Sequence, residues 1–284
     1  MRTMMALLYR EWIENRSVAR TPLWIGIASL ALFLWVGASG NIQWSMQYNG
    51  SNDYLSFLNI SGPSVIVALM VGGLSLLMTT VYFPKTLRKE RLEGSFMFWR
   101  SMPVSSHQTH ISKLIFGLVV IPLTCSGLVV VFDLAVWIIG SMMAGNVNPV
   151  GLVQVGSFWI EFLGQMLLIA LFLIPTAYLT LLVSQLVSSP LLVLLIIAYA
   201  IKWLSPTLLQ SEVLSHYVNG IFNIPFKILS GENVWHVITQ FGVGYWVLYI
   251  AMGVVCALGS ISYYATNEFS WHNWLPRKSR SHLE

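Results

Sequence analysis

Six long apolar stretches constrain this chain more than any other feature of its sequence. They cover residues 22–39, 63–83, 114–142, 157–186, 187–204 and 241–264. A helix needs about 20 mostly apolar residues to cross the hydrocarbon core of a bilayer, and these stretches meet or approach that length. Because lipid offers no hydrogen-bond partner to an open backbone, they are expected to be helical. The sequence therefore predicts an all-α integral membrane protein with six transmembrane helices.

The overall composition agrees with this fold class. Hydrophobic residues make up 56% of the chain and charged residues only 9%, whereas about a quarter of an ordinary soluble domain is charged. The fifth stretch is short and directly follows the fourth. A joined hairpin or a half-span is the alternative there.

The distribution of Lys and Arg predicts how the chain is oriented. Of its 15 Lys and Arg residues, four lie in residues 1–20, six in residues 84–113 and three in residues 265–284. Short loops rich in these residues stay in the cytoplasm. We therefore expect both termini and the 84–113 loop to be cytoplasmic. The same bias explains the net charge of +4, which calls for no nucleic-acid partner.

The first twenty residues have the pattern of an amphipathic helix. Arg2, Arg10 and Glu14 face one side of a helical wheel. The opposite side carries Met1, Met4, Met5, Leu8 and Trp12. We expect residues 1–20 to form a cytoplasmic elbow helix that lies along the lipid headgroups. A charged flank without a fixed helix is the alternative.

Three ionisable residues lie within or at the ends of apolar stretches. Asp133, Glu161 and Lys202 should all lie near the outer boundary of the membrane, from the 1.5 Å rise of a helix. Charge at such positions is costly and often functional. They are either an outer gate or substrate contact, or a structural ion pair at headgroup level.

Metal and nucleotide sites have little support in the sequence. His107 and His110 are three residues apart, but no carboxylate or Cys completes a ligand set. The chain contains no Gly-Lys pair, so it lacks a G-x-x-x-x-G-K-[ST] phosphate loop. We expect no metal and no cofactor to be bound by this chain.

The 205–240 connection is an outer loop by the same orientation. Its run 221–229 is too short to cross the bilayer and too apolar for open water. Irregular backbone at membrane depth survives only when protein shields it. We therefore predict a partly re-entrant segment, with an ordinary folded outer loop as the alternative.

The 84–113 loop is polar but also carries large apolar side chains. A charged run, Arg88-Lys89-Glu90-Arg91, precedes Glu93-Gly94-Ser95, and an aromatic run ends at Met102-Pro103-Val104. In this order, between spans two and three, the segment resembles the coupling loop of type-2 ABC exporter permeases. The N-terminal helix, six spans with both ends inside and a long last outer loop are similar to that family as well.

The resemblance implies a function. Family members are half-transporters of the bacterial inner membrane that pair with themselves or a paralogue and with two separate ATPase subunits. ATP and Mg would then bind to the partner, and this chain would be a non-catalytic permease that exports an amphipathic, lipid-like, peptide or drug substrate. The residues that would couple it to the ATPase are Glu90, Arg91, Glu93, Gly94, Ser95, Phe96, Phe98, Trp99, Arg100, Met102 and Pro103.

Two other interpretations remain open at the level of sequence. The loop aromatics could instead pack on lipid headgroups or on the elbow helix, as Trp often does at the membrane surface. The chain could then be a secondary transporter or a membrane-embedded enzyme that uses Asp133, Glu161 and Lys202.

Overall fold

A computed structural model describes residues 2–38, 62–92, 105–144, 149–208 and 213–266. They form nine α-helices and one π-helical turn, and no strand occurs among them. In chain order the helices are α1 (Arg2–Glu14), α2 (Arg16–Ala38), α3 (Gly62–Leu92), α4 (Ser106–Ile115), α5 (Ile121–Ala144), α6 (Pro149–Leu186), α7 (Pro190–Leu208), α8 (Val213–Leu229) and α9 (Val234–Thr266). The prediction of an all-α chain is confirmed.

Four helical stretches are long and apolar enough to cross a membrane. They are Val67–Glu90, Ser106–Ile139, Val150–Leu186 and Val234–Tyr264, and they correspond to the second, third, fourth and sixth predicted spans. A shorter apolar helix covers Pro190–Ser205. The chain is thus a multi-pass membrane protein.

Several helices extend beyond the apolar stretches that predicted them. Helix α3 continues past residue 83 to Leu92, and α4 begins at Ser106, well before the apolar run that starts at residue 114. The start of α4 is fixed by a capping box, in which Ser105 and Gln108 exchange side-chain and backbone hydrogen bonds. Much of the predicted 84–113 loop is therefore helical, and residues 93–104 of it lie outside the described residues.

A π-helical turn, Phe116–Val120, joins α4 to α5. The backbone N–H of Ile121 bonds to the carbonyl of Phe116, five residues earlier. Pro122 explains the irregularity, because its ring would clash with the carbonyl four residues before it in a regular α-helix. Thr79 of α3 donates its hydroxyl to the carbonyl of Gly117 at 3.0 Å, which anchors the turn.

Helix α6 is the centre of the bundle and packs against α3, α5, α7, α8 and α9. It approaches α9 closely, where a Cβ on Gly253 would come within 2.9 Å of the Pro175 backbone. The sequence Gly253, Ala257, Ser260 offers a small-residue face for such packing. Gly253 and Ser260 are indeed buried.

The predicted outer loop 205–240 contains α8 and the first residues of α9. Val218, Ile224 and Ile228 of α8 are buried, whereas Phe222 and Phe226 are exposed. Helix α9 breaks at Gly242, whose φ of 71° and ψ of 162° are open to glycine but not to residues with a Cβ. Helix α8 thus packs on α6 and α7, and the partly re-entrant placement of this segment stays a prediction.

Candidate functional site

The most distinctive site in the described structure is a group of charged side chains buried at one end of the bundle. Glu11 of α1, Glu90 of α3 and Lys113 of α4 are each 1 or 2% exposed. Arg10 of α1 joins them with an 11% exposed side chain. Removing an ion from water costs several kcal/mol, so such groups persist only when they are paired. We call these four residues the buried charge cluster, and the end of the bundle that holds it the charged end.

The two cations and two carboxylates of this cluster neutralise one another. The Nζ of Lys113 donates to Oε1 of Glu11 at 2.7 Å and to Oε1 of Glu90 at 2.9 Å. Nη2 of Arg10 donates to Oε1 of Glu90 at 2.6 Å. Charge-assisted bonds of this length are the strong class of hydrogen bond. The cluster therefore joins α1, α3 and α4 directly.

The second oxygens of the two carboxylates are used as well. Oε2 of Glu11 accepts hydrogen bonds from the Tyr82 hydroxyl at 2.8 Å and from Nδ2 of Asn15 at 3.1 Å. Oε2 of Glu90 accepts one from the Tyr264 hydroxyl at 3.3 Å. Tyr264 lies near the end of α9, so α9 is also connected to the cluster.

Two further contacts hold the C-terminal end of α1 at the edge of the cluster. Arg10 also pairs with Glu14 at 2.7 Å, and Nζ of Lys89 donates to the backbone carbonyl of Glu14 at 3.0 Å. Burial lowers the pKa of Arg10, but the hydrogen bond to Glu14 and the charge of Glu90 outweigh it and hold that pKa above its usual value. Arg10 therefore stays charged at any physiological pH.

Cationic side chains of the protein already neutralise the acidic groups of this site. Carboxylate oxygens of Glu11, Glu14 and Glu90 lie within 4.8 Å of one another, close enough to share an ion. The ammonium of Lys113 and the guanidinium of Arg10 already occupy the space between them. The arrangement suits a structural joint between helices and offers no open position for a ligand.

A second polar network lies beside the cluster and joins α4, α6 and α9. Nδ1 of His110 lies 2.8 Å from the Ser106 carbonyl, which can only accept, so this nitrogen carries the proton. The neutral ring then accepts from the Ser260 hydroxyl at Nε2, at 2.9 Å. Gln185 donates to the same hydroxyl oxygen at 2.7 Å. His107 is exposed, so the two histidines do not share a site.

Of the residues that the resemblance grouped as a coupling site, the structure describes the side chain of Glu90 alone. Glu90, expected at the polar rim of an ATPase contact, is instead buried and paired inside the chain. This follows because α3 continues to Leu92 and carries Glu90 onto Lys113 and Arg10. The other predicted coupling residues, Glu93, Gly94, Ser95, Phe96, Phe98, Trp99, Arg100, Met102 and Pro103, lie outside the described residues, as does the Arg91 side chain.

The three predicted outer charges do not form a common site. Asp133 is 4% exposed within α5, whereas Glu161 of α6 and Lys202 of α7 are exposed. Among the ion pairs made by described residues, none joins any two of the three. The described structure thus shows no ion pair among the three, and an outer gate or substrate contact formed by them stays a prediction.

Sequence reasoning missed Glu11 and treated Lys113 only as one of the charges that set orientation. The wheel of α1 placed Met5 and Trp12 on the side that faces lipid, and both are exposed, but it did not indicate that the buried positions would be Leu7 and Glu11. Leu7 and Glu11 are four residues apart and so share a face. Nothing in the local sequence indicates that the Glu11 carboxylate pairs with a lysine 102 residues further along the chain.

Comparison of the chain with protein-family models, with curated proteins and with solved structures finds no significant match.

Proposed function

We propose that this chain is the membrane-spanning permease subunit of an ATP-driven ABC transporter, an exporter energised by a separate ATPase. The observation that supports it is the position of the buried charge cluster at both flanks of the 93–103 segment. Glu90 precedes the segment near the end of α3, Lys113 follows it in α4, and a 2.9 Å ion pair joins the two.

This geometry would transmit a displacement of the 93–103 segment to several helices. A displacement of the segment would reach α3 through Glu90 and α4 through Lys113, because each residue belongs to the helix next to the segment. Glu11 would carry it to α1 and Tyr264 to α9. Packed, charge-paired helices move as units rather than deforming continuously. A small movement at the segment would thus tilt several helices together.

In this proposal the chain has six spans and both termini in the cytoplasm. At 1.5 Å per residue, α2 is about 35 Å long and α7 about 29 Å, enough for the roughly 30 Å hydrocarbon core. They supply the first and fifth spans beside the four longer ones. The charged end then faces the cytoplasm of the bacterial inner membrane, in line with the distribution of Lys and Arg, and α1 serves as the elbow helix.

The partners follow from the same proposal. Two ATPase subunits would bind ATP and Mg, and the permease would act as a homodimer or with a paralogue. Phe96, Phe98, Trp99 and Met102 would fill a groove on the ATPase, since aromatic side chains and Met are enriched at the centre of protein interfaces. An apolar, charge-poor set of spans suits an amphipathic, lipid-like, peptide or drug cargo better than a bare ion.

The test is a pull-down of the detergent-solubilised full chain from its native membranes. The wild type should bring down a nucleotide-binding subunit, identified by mass and by ATP hydrolysis, and Glu93→Ala with Trp99→Ala should lose it. The matched control is Glu232→Ala with Trp235→Ala, which removes an exposed Glu and an exposed Trp at the other end of the bundle. The control should retain the subunit.

Two outcomes contradict the proposal. If no ATPase accompanies the wild type while its other contacts are preserved, the chain is not a permease of this kind. If both double variants lose the ATPase equally, the 93–103 segment is not the contact.

A further inference from the structure

Helix α2 presents one continuous exposed stripe that changes from basic to apolar along its length. Arg16 and Arg20 begin the stripe, followed by Trp24, which is 70% exposed. Ile27, Ala31 and Trp35 continue it at spacings of three and four residues, so all six positions lie on one face of the helix.

The two arginines lack a carboxylate on this stripe. Among the ion pairs of the described residues, none includes Arg16 or Arg20, although Arg10, only six residues earlier, pairs with both Glu14 and Glu90. Adjacent turns of a helix bring side chains about 5–6 Å apart. Two guanidinium groups at this spacing can reach a single phosphate group, whose oxygens match the Arg fork.

Helix α1 shows that this corner of the molecule faces an apolar medium. Its acidic Glu11 points inward, while Met5, Tyr9 and Trp12 are exposed on the opposite side. A helix in water would have the reverse arrangement. The outward face of α1 and the apolar part of the α2 stripe therefore belong in lipid, with Arg16 and Arg20 at the level of the headgroups.

We propose that Arg16 and Arg20 hold the headgroup phosphate of an acidic phospholipid, whose acyl chains lie along Trp24, Ile27 and Trp35. Trp24 lies one helical turn, about 5 to 6 Å, deeper than Arg20, as expected of an interfacial Trp below the phosphate layer. The apolar continuation of the stripe selects a lipid over free phosphate, because only a lipid covers both parts.

The charge of the stripe favours an acidic headgroup over a zwitterionic one. A zwitterionic headgroup brings its own ammonium, which neutralises the phosphate. Each Arg near an anionic surface strengthens binding roughly fivefold, so two contribute roughly 25-fold. The site therefore enriches acidic lipid around the α1–α2 corner above its abundance in the bilayer.

The test measures lipid retained by the purified full chain. The protein is placed in nanodiscs of 30% phosphatidylglycerol and 70% phosphatidylcholine, released into a mild detergent, and weighed with its bound lipid by native mass spectrometry. Wild type should retain phosphatidylglycerol, and R16Q/R20Q should lose most of it, whereas R16K/R20K should retain an intermediate amount because it keeps the charge without the fork. The matched control, K202Q/K227Q, removes two cations from the other part of the bundle and should behave as wild type.

The proposal is overturned if R16Q/R20Q, eluting and folding as wild type does, retains the same phosphatidylglycerol. Equal loss in R16Q/R20Q and K202Q/K227Q would overturn it too, because binding would then follow net charge alone. Unchanged lipid together with a loss of dimer mass in R16Q/R20Q would assign the stripe to a second copy of the chain instead.

Discussion

Replacing Lys113 by Met tests the central structural claim about the buried charge cluster. Met has nearly the length and volume of Lys but no charge, so the substitution removes the ammonium between Glu11 and Glu90 and leaves the packing. Arg10 still pairs with Glu90. Glu11 keeps only neutral donors and becomes a buried, uncompensated anion.

The expected cost is large. Breaking a buried ion pair by removing one partner costs about 3–5 kcal/mol, because the remaining charge stays buried. That is a loss of at least a hundredfold in the ratio of folded to unfolded protein, at about 1.4 kcal/mol per tenfold. Lys113 is 1% exposed, so solvent cannot screen the charge that it leaves behind.

A double-mutant cycle separates this charge effect from packing. Glu11→Gln in the Lys113→Met background removes the stranded anion, and the new amide oxygen can still accept from Tyr82. The double variant should therefore be more stable than the sum of the two single effects predicts, by about 2–3 kcal/mol.

Unfolding of the purified full chain in mixed micelles, titrated with SDS and followed by far-UV circular dichroism, measures these differences. Lys227→Met is the control. The Lys227 side chain is 27% exposed and lies 3.7 Å from Glu232, so its loss should cost under about 1 kcal/mol. A Lys113→Met variant within 1 kcal/mol of wild type, or strictly additive effects in the cycle, would refute the assignment of Lys113 as the cluster's central charge.

Two further substitutions test the packing around the π-helical turn and the second polar network. Gly117→Ala should destabilise the chain by about 1–3 kcal/mol, because the new Cβ would lie 2.5 Å from the buried ring of Phe83. The control is Gly127→Ala, whose new Cβ would meet no neighbouring side chain or helix within 4 Å, and which should be neutral or stabilising. Equal effects of the two substitutions in the same SDS titration would contradict the close approach at Gly117. Ser260→Ala should cost about 1–3 kcal/mol by leaving Nε2 of His110 buried without its donor, and a change under about 0.5 kcal/mol would count against that hydrogen bond.

Much of the fold follows from the periodicity and length of apolar runs. The runs at 63–83, 157–186 and 241–264 lie inside α3, α6 and α9, because in lipid an apolar run of this length has no alternative to helix. The ends of the helices are harder to predict from the sequence. Apolar runs stop where charge begins, whereas α3 goes on to Leu92 because Glu90 finds partners from α1 and α4.

The candidate site illustrates the same limit. Glu90 and Lys113 are visible in the sequence as charges beside apolar runs, which is typical of residues that face water at a membrane surface. In the structure both are buried instead of facing water. Their burial depends on Glu11, which lies 102 residues from Lys113, and on Tyr264, which lies 174 residues from Glu90. No local pattern records such a pairing.

The sequence by itself determined that this chain is helical and membrane-spanning, because hydropathy is summed over each segment and needs no neighbour. Only the tertiary structure decided which charges are buried and which remain exposed. The energy of a buried ion depends on partners within about 3 Å, and those partners come from helices far apart in the chain. Arg10 and Arg16 are both arginines of the same N-terminal segment. Arg10 is paired within the buried charge cluster, whereas Arg16 is exposed at the start of α2.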